Sequence, residues 1–320
     1  MEHRCNLIID SCCDLPFEVV DREGVELIEF PYVTSEGERA DDLYRSTSAH
    51  EFFQAMREGE QPTTSQVPMH TYREVFGRAV ESGVPTVALV FSSGLSGSYD
   101  AAALVRDEIL AEHPDAELHL VDTRLASVAE ALLVYEAICQ RDRGMTASEL
   151  ARWAEEARFF VDAEFMVDDL EALRRGGRIP GSVAYAGSKL DVKPLLTIGV
   201  DGKLVLSGVA RGRKKGLKQL AEYYRKRAAK EGPGKHVVIG NADCEKDADR
   251  LKEALSKDDD SILFLESSIG PVIGTHIGDG CVAIAFPPLW TLIAVVFWGG
   301  DKREELSVAD RIAKRVRGAE

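Results

Sequence analysis

Short apolar runs alternate with helical periodicities along the first half of the chain. Asn6-Leu7-Ile8-Ile9 is strand-like and ends in the polar turn Asp10-Ser11-Cys12-Cys13-Asp14-Leu15-Pro16, after which an amphipathic helix begins. Residues 25–33 alternate apolar and polar positions, which predicts a second strand. Residues 84–91 are continuously apolar between Gly83 and Ser92, the pattern of a strand buried on both faces, and residues 118–121 repeat it more briefly. Helical spacing follows over 98–111 and 127–143, the second opened by a capping box of Ser127 and Glu130 and stopped by Gly144. Thr146 and Glu149 form another capping box, opening a helix over 149–160. Strands and helices alternating at these lengths predict parallel pairing in a layered sheet.

The texture changes near residue 162. Residues 165–167 read as a strand, followed by Asp168-Asp169, which cap a short helix that ends at Gly176-Gly177. Residues 195–198 and 204–209 flank Asp201-Gly202, a strong hairpin signal. Hairpins bring antiparallel pairing, so a second domain with a mixed sheet is predicted; residues 236–239, 262–265 and 282–286 supply further strands and 246–256 a helix. The expected fold is therefore α/β in two domains. Residues 1–162 form an N-terminal layered, mostly parallel sheet with helices, and residues 163–286 a C-terminal α/β domain with a mixed sheet. Residues 287–320 extend beyond, apolar over 289–298 and highly charged at the end.

Composition narrows the class. A chain of 320 residues is long enough for about two domains, and 45% hydrophobic with 29% charged residues is a packing composition rather than a disordered one. The net charge of −15 argues against a general nucleic-acid or anionic-membrane binder. The first ten residues lack the apolar core of a signal peptide, which leads us to expect a cytoplasmic protein. The six cysteines have no ligand spacing and read as small buried hydrophobes, and no metal site is expected.

Four polar, small-residue segments stand where strands end, the usual place for ligands in open α/β sheets. They are residues 10–14, 62–66, 92–98 and 270–280. In Ser92-Ser93-Gly94-Leu95-Ser96-Gly97-Ser98 a buried strand runs into a Ser/Gly loop that opens a helix. Hydroxyls and free backbone N–H groups there suit an anion; equally, Ser96 or Ser98 can simply cap the helix. His276 lies among glycines beside Thr275, in a segment too flexible in composition to pack it as core, so a site role is expected. The run from Ser207 to Lys230 holds nine basic residues and one acidic residue, Glu222, in an acidic chain. It reads either as a docking patch for an acidic partner or phosphate, or as a solvated helix face.

Taken in order, these segments resemble the DegV family of bacterial proteins, which includes the fatty-acid-binding subunits of the bacterial fatty acid kinase system. The matching stretches are Asp10-Ser11 with Asp14-Leu15-Pro16, Pro62 to Gln66, Ser92 to Ser98, Val167 to Leu170, Gly176 to Ile179, Lys193-Pro194, Val209 to Lys215 and Ile269 to Gly280. The resemblance implies a long-chain fatty acid buried between the domains, as ligand rather than cofactor. Its carboxylate is expected at Thr64, with Thr63 beside it, Ser93 and His276; Ser92 and Arg178 are expected as supporting or gating residues. It further implies a lipid-binding subunit that is non-catalytic by itself. The resemblance also implies a separate ATP-dependent kinase that docks at Arg211 and Arg213 and phosphorylates the acid for phospholipid synthesis. Cys12 and Cys13 depart from the hydroxyl or small residues usual in the first loop. Three other readings remain: a serine-dependent acyl-ester hydrolase, a kinase related to dihydroxyacetone kinases, and a lipid sensor without a kinase partner.

Overall fold

The computed structural model describes residues 3–180, 191–228 and 236–288. In the first domain β1 (Asn6–Asp10), α1 (Phe17–Val20), β2 (Val25–Ile28), β3 (Pro31–Thr34), β4 (Gly37–Ala40), α2 (Ala49–Arg57), β5 (Thr63–Thr64) and α3 (Met69–Glu81) come first. They are followed by β6 (Thr86–Val90), α4 (Ser98–Glu112), β7 (Leu118–Asp122), α5 (Ser127–Asp142) and α6 (Ala147–Ala157). Four strands make a parallel sheet in the order β2-β1-β6-β7. All five residues of β6 are buried, as its run of apolar residues after Thr86 requires of a central parallel strand. The expected single strand over 25–33 is two strands in different sheets. Pro31 has no N–H to continue a ladder, so it opens β3, which pairs with β4 and β5 instead.

The second domain contains β8 (Asp162–Met166), α7 (Glu171–Arg175), β9 (Val192–Ile198), β10 (Leu204–Arg211), α8 (Arg213–Arg227), β11 (His236–Asn241), α9 (Glu245–Ser256), β12 (Leu263–Ser268), α10 (Pro271–Ile277) and β13 (Val282–Phe286). Its sheet runs β10-β9-β8-β13-β11-β12 and is mixed: only β11 and β12 pair in parallel. β9 and β10 are the hairpin announced by Asp201-Gly202, with Gly202 at φ 76°. The apolar stretch 289–298 and the charged end lie outside the described residues. No helix among the described residues is long and apolar enough to cross a membrane.

The two domains share a core. Thirteen of the sixteen residues of α5 are buried, because the helix packs on β11 and β13 of the mixed sheet as well as on its own domain. One apolar cluster accordingly runs from the parallel sheet through α5 to the near face of the mixed sheet, while a second fills the space under α8 and α9. This burial overturns the capping box expected at Ser127. Ser127 sits at φ 51° and gives its hydroxyl to Asp14 Oδ2 at 2.5 Å, and Glu130 is fully buried beside Thr123. The box at Thr146 and Glu149 does form, opening α6.

Candidate functional site

Between the loops of the first domain and the near face of the mixed sheet lies a cavity with about 800 Å³ of empty space, its opening included. Phe30 and Phe91 meet edge to face on one side, with Phe165, Ile198 and Leu204 on the sheet and Ile273 on α10. Ala283 pairs with Phe165 across β8 and β13 and gives the cavity wall a small side chain beside that ring. The polar groups on this apolar wall include Thr64, Ser96, Arg178 and His276.

Thr64 and His276 are joined, Oγ1 to Nε2, at 2.8 Å although 212 positions separate them. Antiparallel pairing of β5 with β3 turns Thr64 inward and leaves Thr63 exposed, because successive strand residues face opposite ways. The glycine-rich segment carrying His276 is a helix rather than the expected loop. Pro271 starts it at the first helical position and Gly278, at φ 76°, ends it. Gly274 lies against Phe53 and Phe52, where a β-carbon would come within 3.0 Å of both rings. Burial, then the nearby Arg178 and Arg175, lower the His276 pKa to about 4, so the imidazole is neutral at pH 7. Its Nδ1 has no hydrogen-bond partner among the described residues and faces Gly176, where any β-carbon would overlap the ring.

Arg178 is half-buried, and its Nε donates to the Leu95 carbonyl at 3.1 Å while Nη1 donates to Gly176 O. No carboxylate lies within ion-pair distance of it among the described residues. Burial lowers its pKa, as expected for a cation short of counter-charge. Expected only as a supporting or gating residue, it stands on the cavity wall with Thr64 and His276. What sequence reading missed was the missing counter-ion, which depends on tertiary placement and leaves no mark in the Gly176-Gly177-Arg178 motif.

Ser92 and Ser93 are placed differently. Ser92 is buried and donates to Gly202 O at 2.8 Å, seating the tip of the β9–β10 hairpin on the first domain. Gly94 is required there, since a β-carbon would come within 2.7 Å of the Gly202 backbone. Ser93 Oγ donates to Asp122 Oδ2 at 2.6 Å and its N–H to Oδ1 at 3.1 Å, and Ser93 is not on the cavity wall. Ser96 Oγ accepts the Ser98 N–H at the start of α4, whereas Ser98 Oγ accepts the Val67 N–H from outside the helix; the N-cap position itself is Gly97, so Ser98 does not cap α4.

The expected docking pair separates. Arg211 is exposed, but Arg213 binds Asp247 Oδ2 and Asp168 Oδ1 at 2.6 Å each and Gly280 O at 2.8 Å. Arg213 is therefore an internal clasp joining α8, α9, the turn before α7 and the turn before β13. The same contact divides the expected Asp168-Asp169 cap: Asp169 accepts the Glu171 N–H, whereas Asp168 is held by Arg213 and Lys193. Cys12 and Cys13 are fully buried away from the cavity wall, and burial pushes both thiols well up. Among the described residues no group of three His, Cys, Asp or Glu side chains is arranged to hold a metal ion.

The sequence matches the family model described as an uncharacterised protein of the DegV family over residues 4–289. The chain belongs to the DegV family. A DegV domain-containing protein of Clostridium perfringens is 35% identical over 281 residues, covering 88% of this chain and 96% of the relative. The DegV protein of Thermus thermophilus, whose structure is described as showing fatty acid binding, superposes with a TM-score of 0.79 at 28% identity, covering 89% of this chain and all of that one. The Bacillus subtilis DegV, described as a fatty acid binding protein, gives 0.74 at 26% identity, covering 90% of this chain and all of that one. DegV proteins bind fatty acids, and the cavity described above lies in a chain of that family and fold.

Proposed function

We propose that this protein binds a long-chain fatty acid in the interdomain cavity, its carboxylate held at Arg178, Thr64 and His276 and its tail along the apolar walls. The observation that carries this reading is a half-buried guanidinium with no carboxylate at ion-pair distance among the described residues, opening onto a mainly apolar cavity beside a hydroxyl–imidazole pair; the Glu164 carboxyl on the same wall is held by the Ser207 hydroxyl. Fatty acid binding by the Thermus thermophilus and Bacillus subtilis relatives supports it.

The chemistry is consistent. A buried carboxylate costs several kcal/mol unless it is charge-paired and hydrogen-bonded. The neutral imidazole has two tautomers, and only one leaves Thr64 free to donate. With the proton on Nε2, His276 donates to Thr64 Oγ1, and the threonine proton turns to the ligand oxygen. Charge-assisted bonds of this kind contribute about 1.5–3 kcal/mol each, which offsets desolvation of the head. The tail supplies net affinity: fourteen methylenes at about 0.8 kcal/mol each give roughly 11 kcal/mol before ordering costs. Ser93 joins the head-group site only by releasing Asp122, and Ser92 acts through the hairpin it seats.

The bound acid is then presented to a separate ATP-dependent kinase, which forms the acyl phosphate used in phospholipid synthesis. Arg211, with the exposed Lys214, Lys215 and Lys218 on α8, offers the docking surface. The chain acts as a lipid-binding subunit rather than as a hydrolase: Ser93 donates to a carboxylate, not to an imidazole, so it lacks the adjacent base that acyl-ester hydrolysis requires. Denaturing mass spectrometry of lipid extracted from purified protein tests the reading. One fatty acid per chain, or stoichiometric uptake of added palmitate, is expected; neither native lipid nor uptake contradicts it.

A further inference from the structure

Residues 267–272, which lead into the helix of His276, are gripped by the first domain through polar groups that the head-group site does not use. Asp14 Oδ1 accepts the Gly270 N–H at 2.9 Å, and the Asp14 carbonyl accepts the Ser267 hydroxyl. Tyr44 donates to Ile269 O at 2.7 Å. Asp41 accepts the Leu43 N–H at 3.3 Å and faces the Val272 N–H, while its Oδ2 makes no hydrogen bond. Both carboxyl groups converge on Gly270: the place of a β-carbon on that residue is 2.7 Å from Asp14 Oδ1 and 3.0 Å from Asp41 Oδ2. Asp14 is 2% exposed and Asp41 fully buried, and neither has a basic partner within ion-pair distance among the described residues.

Resting on the fatty-acid reading above, we infer that Asp14 and Asp41 form an acid pair that keeps one proton and acts as the positioning device for α10, and so for His276. Two desolvated carboxylates this close cannot both ionise without strong repulsion. With one proton retained, the pair accepts the N–H groups at the start of the helix and holds the far end of the helix at Thr64. With both ionised, repulsion drives apart the walls of the seam. The titratable groups facing the pair are Asp10 at the end of β1, Cys12 and Cys13 after it, Tyr32 on β3, Asp42 and Tyr44 after β4, Glu130 on α5, and Cys281 before β13. Burial raises Asp41 to about 7, and burial with the Asp41 charge raises Asp14 well above its ordinary range. Both shifts are upward, so the proton is bound more tightly in the closed form. The stabilisation is complete below the ordinary carboxylate range and is lost as pH rises through about 7 and beyond.

Two measurements at pH 6 and pH 8.5 test the pair. In the lipid-free protein, deuterium exchange of the peptide spanning residues 269–278, corrected for intrinsic rate, should accelerate about tenfold at the higher pH, a factor of ten matching one pKa unit. Asp41→Asn, which keeps the shape and cannot ionise, should hold the slow rate at both pH values. Affinity for the fluorescent fatty acid cis-parinaric acid should fall with pH in the natural protein and stay level in Asp41→Asn, whereas Asp41→Ala should weaken binding at both. Exchange that is as pH-dependent in Asp41→Asn as in the natural protein overturns the inference, whatever the lipid result. A pH-dependent seam in a protein that never binds the probe upholds the pair and overturns the fatty-acid reading.

Discussion

Two hydroxyl-bearing turns approach the space between the domains, one carrying Thr64 and the other Ser92 and Ser93. Ser93 meets the carboxylate of Asp122 at 2.6 Å and Ser92 meets a carbonyl of the β9–β10 hairpin, so the protein itself satisfies both. Among the described residues the Thr64 hydroxyl meets His276, an uncharged ring whose other nitrogen has no partner there. The same chemistry thus locks one turn and leaves the other with a proton to offer. What separates them is the strength of the acceptor that folding brings alongside. Arg178 adds positive charge on the Thr64 side, and its own backbone bonds aim the guanidinium without neutralising it.

The largest effect that should separate the two turns comes from charge. Arg178→Glu sets two negative charges beside one another and should weaken palmitate binding by at least about a hundredfold, with Arg178→Gln losing about tenfold, the value of one charge-assisted bond. Retained affinity in both, measured by calorimetric titration, would remove the arginine from the head-group site. Ala283→Phe tests the tail. Filling the wall opposite Phe165 should penalise long chains more than short ones, by about 0.8 kcal/mol, or roughly fourfold, for each methylene turned away. An unchanged ratio of stearate to laurate affinity would place the tail elsewhere.

Smaller effects come from the hydroxyls themselves. Thr64→Val should reduce affinity about fivefold to tenfold, the contribution of a single bond of about 1–1.5 kcal/mol. Ser93→Ala should change affinity less than threefold or so while lowering the melting temperature, since it strips a partner from buried Asp122. Equal losses in the two variants would mean that Ser93 exchanges Asp122 for the ligand on binding. Arg211→Glu should leave lipid affinity unchanged and slow acyl-phosphate formation by a partner kinase; identical turnover would return the basic run to a solvated face.

The hairpin at Asp201-Gly202, the buried run of β6 and the capping box at Thr146 could be read directly because each is decided by neighbours in sequence. Tertiary partners defeated the rest. Ser127 and Glu130 have capping spacing, yet Asp14, more than a hundred residues away, captures the serine. The glycines around His276 suggested a loop, but packing against Phe52 and Phe53 and the polar seam at Gly270 make them a helix. Arg213 looked like part of a surface patch, and Asp168 and Asp247 draw it inward. Resemblance to the family brought Thr64 and His276 together in advance; the absence of a counter-ion at Arg178 became legible only from coordinates.

The most direct measurement is a crystal structure of the protein grown with palmitate. The account predicts one acyl chain in the cavity, a carboxylate oxygen within hydrogen-bond distance of Thr64 Oγ1 and facing the Arg178 guanidinium, and the tail against Phe165 and Ala283. An empty cavity at saturating palmitate, or a head group seated away from all three polar side chains, would contradict it.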